Sequence, residues 1–316
     1  MSRVFLFFTF LMLLPFRKWA EFCMRWCGRI LLLGMVVFIL VFAALVTSGA
    51  ERSFLVESRS DTVTLTFDRG VNAWSLREAV LCEPVAVPRL GATDACGAAY
   101  APPSVPAEQF IEWRADATVG VGGTRDGGLE VRILGGMEPE FADGSRLLVS
   151  PSGWADTGAL TFRGGAEVGR DMASNVASYL HSGRWEAREE GPVTSFLRSS
   201  TEVIKTGTLA TGAVVTVLRE DSPAQVHGHI VPAPEGGLSV TLLSEFGDTA
   251  LSIRQFGLDG AVLVKPDWVD VAVSSPLLLA IIGIITVAAT ANQLFSPNQL
   301  RSGTQLDRSR SPEERE

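Results

Sequence analysis

The sequence predicts a mainly β fold: an extracytoplasmic, β-sandwich-like domain with one short helix, flanked by two transmembrane α-helices. Three observations carry this prediction. Residues 30–50 and 271–295 are uncharged apolar runs, each long enough to cross about 30 Å of hydrocarbon. The stretch between them, 51–270, alternates apolar and polar residues with the period of two that marks half-buried strands. Charge is unevenly spread, with a net +4 before the first run, −12 between the runs and zero after the second.

Composition agrees. The chain has 316 residues, 47% of them hydrophobic and 20% charged, and a mean hydropathy of +0.24. The apolar excess is concentrated in the two runs and one shorter segment near the N-terminus. The formal charge of −8 excludes a nucleic-acid binder that draws its affinity from phosphate neutralisation. Lysine is scarce: Lys18, Lys205 and Lys265 are the only three.

Residues 1–29 form a cytoplasmic or interfacial segment. Val4 to Phe16 is apolar but too short to span, and Pro15, Arg17 and Lys18 close it, so it reads as a helix lying on the membrane surface. A start at Met24 would make these residues an upstream extension. Cys23 and Cys27 share one helix face. They have no neighbouring histidine or further cysteine, and two thiols alone do not hold zinc.

The first span, Ile30 to Ala50, follows five basic residues and one acidic residue. Basic flanks stay on the cytoplasmic side. The N-terminus is therefore expected in the cytoplasm, 51–270 in the periplasm or its equivalent, and the tail 296–316 back in the cytoplasm. The expectation is a two-pass inner-membrane protein. Ser48-Gly49-Ala50 resembles a signal-peptide cleavage site, but the apolar run is longer than a typical signal core, so an uncleaved anchor is expected.

In the exported region, alternation predicts strands over 62–67, 129–133, 157–163, 212–218, 225–231, 238–243 and 250–255. Turn signals such as Arg125-Asp126-Gly127-Gly128 and Pro234-Glu235-Gly236-Gly237 separate them. One helix is expected over Asp171–His181, capped by Asp171 and ended by Gly183. The Pro- and Ser-rich stretch 99–106 predicts a linker and a sub-boundary. Glycine spacing near 207–237 leaves a solenoid as a minor alternative. Cys82 and Cys96 lie 14 positions apart across a Pro/Gly-rich segment, and an oxidising compartment predicts a disulfide between them.

The second span, 271–295, carries the small residues Ala280, Gly283 and Ala288, which permit close helix packing. The tail 296–316 is polar and aperiodic, as in disordered segments.

Signals for chemistry are weak. Asp156-Thr157-Gly158 matches the aspartic-protease triplet, whose mechanism needs paired carboxylates, but the flanking Trp154 and Leu160 do not fit. A turn before a strand is the expected structure there. His227 and His229 share one strand face as a two-ligand start for a metal site, which needs further ligands. No Gly-x-Ser-x-Gly elbow, phosphate loop or Cys-x-x-Cys-His haem motif occurs. No cofactor is expected.

The expected function is non-catalytic: an accessory, scaffold or assembly subunit of a larger membrane or envelope complex, its partners being the bilayer and other subunits. The alternative is a ligand- or polysaccharide-binding module using Trp74, Trp113, Trp154, Trp185 and Trp268 as stacking platforms. A membrane-anchored hydrolase around Asp156 is the second alternative.

Overall fold

The computed structural model describes residues 51–70, 72–170, 179–190, 202–256, 258, 260–267 and 270. It also describes single helical residues at 34, 37, 41, 279, 283, 284, 286, 287 and 290. The order of elements is β1 (Glu51–Ser60), β2 (Thr62–Phe67), β3 (Asn72–Cys82), β4 (Ala107–Trp113), β5 (Thr118–Gly123), β6 (Leu129–Gly135), β7 (Arg146–Val149) and α1 (Pro151–Thr157). It continues through β8 (Leu160–Val168), β9 (Leu180–Glu190), β10 (Glu202–Leu209), β11 (Val214–Arg219), β12 (Ser222–Pro223), β13 (Val226–Pro232), β14 (Leu238–Ser244), β15 (Thr249–Arg254) and β16 (Ala261–Val264).

The fold is mainly β, and the strands form one large antiparallel sheet. Its main path runs β10-β9-β1-β14-β13-β8-β2-β5-β6-β7-β3-β4. Strand β8 is where the sheet forks. One edge pairs with β2 over Gly164–Val168. The other edge pairs with β13 over Leu160–Gly164 and with β11 at Glu167 and Val168. Glycines 164 and 165 lie at the changeover. Gly164 has φ +148°, and a Cβ there would stand 2.1 Å from the Thr66 carbonyl oxygen, so only glycine fits. From β11 the sheet continues to β15 and β16. Just before β15, Gly247 exchanges two backbone hydrogen bonds with Arg52 of β1, at 2.9 and 3.0 Å. The pairing thus returns to the strand it left.

Period-two alternation explains the core. Val63, Leu65 and Phe67 point inward from β2, and Leu129, Val131 and Ile133 from β6. They join one continuous apolar cluster that includes Phe54, Trp74, Leu76, Trp113, Leu160, Val226, Val240 and Leu251. Phe67 stacks on Trp113 at 5.0 Å between ring centroids, and Trp74 meets both rings edge-on.

Each predicted strand window overlaps an observed strand, with starts shifted by up to three residues. The helix prediction differs. Residues 171–178 lie outside the described residues, and Leu180 and His181 open strand β9 rather than closing a helix. The helix observed is instead α1. Ser150 caps it by accepting from the Gly153 N–H at 3.0 Å, and proline takes its first position. Stretch 99–106 interrupts no sheet: β3 before it pairs with β4 after it. Among the described residues no helix is long and apolar enough to cross a membrane. Nearly all of 30–50 and 271–295, and all of 1–29 and 296–316, lie outside those residues.

Candidate functional site

A polar cleft of about 470 Å³ opens beside the fork, lined by Asp68, Arg69, Gly70, Asp116, Arg163 and Gln225. Arg163 organises it. Its Nε lies 2.8 Å from Asp68 Oδ2, and its Nη2 lies 3.0 Å from Glu245 Oε1. The other oxygen of Asp68 accepts from the Gly70 N–H at 2.7 Å. A side chain at 70 would press on that carboxylate. Beneath the cleft, the buried Asn72 amide acts as a short strand. Its Oδ1 accepts from the Arg163 N–H at 2.8 Å, and its Nδ2 donates to the Arg163 carbonyl at 3.2 Å. Trp74 Nε1 donates to the Thr161 carbonyl at 2.7 Å. Side chains of β3 thus cover the edge of β8 that β2 leaves unpaired.

The cleft carries both charge signs and an amide but no hydroxyl, thiol or amine nucleophile among its six lining residues. Such a surface hydrogen-bonds polar groups. Comparison of the chain with protein-family models, curated proteins and solved structures returns no match.

The predicted site residues fall in several places. His227 and His229 are exposed on the outer face of β13. His227 Nε2 lies 3.5 Å from Glu245 Oε1, which links this histidine to the cleft. Among the described residues no group of three potential metal ligands occurs. His181 sits elsewhere, bonded to Asp61 at 2.8 Å. Asp156-Thr157-Gly158 ends α1 instead of forming a simple turn. Thr157 Oγ1 donates to the Gly153 carbonyl and accepts from the Arg77 N–H, Gly158 takes φ +78°, and Asp156 is exposed.

The tryptophan platforms are corrected. Trp74, Trp113, Trp154 and Trp185 are 1–6% exposed and belong to the core, so they offer no face for stacking. Their neighbours are apolar, and burying a large aromatic there stabilises the fold. Trp268 lies outside the described residues. Cys82 and Cys96 are bonded to each other, and both are buried. Of the packing residues in the second span, Gly283 is helical with open space where a Cβ would stand. Ala280 and Ala288 lie outside the described residues.

Sequence reasoning missed one feature altogether, the end of the domain where the chain enters and leaves. Strand β1 starts at Glu51 and pairs with β9, which pairs with β10. Lys205 of β10 is in register with Ala187, and Ala187 with Phe54. The Lys205 ammonium binds Asp270 at 2.9 Å, and Lys265 binds Asp248 at 2.7 Å, next to the Gly247–Arg52 bridge. The only two lysines in residues 51–270 therefore both secure the returning chain. Their hydrogen bonds hold the carboxyls of Asp270 and Asp248 below the usual aspartate range. The scarcity of lysine was the available signal.

Proposed function

We propose that the chain is a non-catalytic, two-span membrane protein. Its sandwich-like β domain sits on the periplasmic side of the inner membrane and serves as an accessory or assembly subunit of a larger envelope complex. The observation that supports this is the convergence of the two ends of the β domain, Glu51 and Asp270. Two strand spacings separate β10 from β1, and three residues separate Phe54 from Glu51. Strand geometry then puts Glu51 and Asp270 within about 20 Å of each other. A domain fed by one bilayer helix and drained by another needs this arrangement. Tethering at both ends holds the domain close to the membrane and raises its effective concentration for a neighbouring subunit.

Purification in mild detergent followed by sizing tests the reading. The expected result is a particle larger than the monomer that contains a second protein; a clean monomer contradicts it. The polar cleft supports a second reading, a binding module for a small polar ligand. Under it, Arg163→Ala would weaken binding without changing the particle size.

A further inference from the structure

The segment between β3 and β4 is braced at several points. The Cys82–Cys96 disulfide closes its base. Arg89 donates to the carbonyls of Tyr100, Gly97 and Ala101 and pairs with Asp94 at 2.8 Å. From outside the segment, Arg146 donates to the Cys96 carbonyl at 2.6 Å and lies 4.0 Å over the Tyr100 ring. Ser104 closes the far end by pairing with the backbone of Leu81.

The segment is anchored by buried cysteines, but its apolar tip stays outside the core. Val87 is 78% exposed and Leu90 fully exposed, while Val105 is 83% exposed. From 84 to 107 the only charged residues are Arg89 and Asp94, and they neutralise each other. The surrounding domain is acidic, and exposed Glu83 and Glu108 stand at the two ends of the segment. A rigid apolar tip loses little freedom when it is captured, which favours association. Its neutral tip and acidic ends complement an apolar recess with a basic rim.

We infer that this loop is a docking prong. It seats Val87 and Leu90 in an apolar recess flanked by arginine or lysine side chains on a partner protein. The inference rests on the accessory-subunit reading and names the surface that reading requires. The test uses the full-length chain in mild detergent and follows co-migration with its partner on native gels. Leu90→Asp and Val87→Asp together should reduce the co-migrating fraction at least tenfold. Leu263→Asp, at another exposed apolar position on β16, should leave that fraction unchanged. The melting temperature should change little and the disulfide should be unaltered, because Leu90 is fully exposed and Val87 is 78% exposed. A photo-reactive residue at position 90 should cross-link the same partner. A wild-type complex that persists in the double variant overturns the prong alone, as does cross-linking from position 90 to lipid and to no protein. A monomeric wild-type chain overturns the accessory reading as well.

Discussion

Lys205 grips both carboxylate oxygens of Asp270, at 2.9 and 3.1 Å, and so fixes the point where the chain leaves the β domain. The strand that carries Lys205 lies two positions from the strand on which the chain enters. Removing the ammonium by Lys205→Met should cost no more than about 1 kcal/mol, the range for partly exposed ion pairs. The sign of the pH effect follows from Asp270. Its folded-state value is lowered, first by the Lys205 hydrogen bond. The contribution is therefore present above the unfolded aspartate value and lost as pH falls through the folded one. Wild type and variant should differ in unfolding midpoint at pH 7 and converge in strong acid.

Asn72→Ala tests the side-chain strand at the fork. It leaves the Arg163 N–H without its side-chain acceptor in a part-buried site and takes one of two donors from the Arg163 carbonyl, which keeps the Asp68 N–H at 3.2 Å. The expected loss is about 1–3 kcal/mol, the cost of an unsatisfied buried polar group. Asn72→Asp should lose nearly as much, because it keeps the acceptor but sets a second carboxylate beside Asp68, whose Oδ1 lies 3.5 Å from the Asn72 Nδ2. Urea unfolding of the two variants measures both.

Gly207 lies under the Trp185 indole, and a Cβ there would stand 2.6 Å from ring carbons. Gly207→Ala forces that ring off β10 and should destabilise by about 1–3 kcal/mol, as overpacking does. The change should also appear in tryptophan emission, since Trp185 is buried against Phe54 in the wild type.

Loss of the disulfide has a separate signature. Cys82→Ser with Cys96→Ser opens a loop of about 15 residues and should cost about 3 kcal/mol on the chain-entropy estimate. Reductant should lower the wild-type melting temperature toward that of the variant and leave the variant unchanged.

Strands with clean alternation were legible in the sequence. Thr62–Phe67 and Leu238–Ser244 place every second residue in the core. Other strands were hidden because their inward positions are polar. Strand β1 buries Ser53, Ser58 and Ser60 alongside Phe54 and Val56. Ser53 Oγ finds the Ser244 carbonyl at 2.8 Å, a partner 191 positions away that no local pattern reveals. Strand β9 carries seven polar or charged residues in eleven, and cross-strand pairing with β1 and β10 makes it a strand. The disulfide was legible because loop length and spacing suffice to propose it. The cleft was not, since Asp68, Arg163, Gln225 and Glu245 converge only through the fork of β8. The two histidines were visible as a pair. Among the described residues they lack a third ligand, and that is a property of neighbouring strands.

The central claim is that residues 51–270 are exported between two membrane helices. It is tested most directly by cysteine accessibility in a Cys23→Ser/Cys27→Ser background. Arg125→Cys lies in an exposed turn between β5 and β6, and Ser302→Cys lies in the tail. A membrane-impermeant maleimide applied to intact spheroplasts should label position 125 at once and position 302 only after lysis. Labelling of position 302 in intact spheroplasts, or protection of position 125 until lysis, would contradict the account.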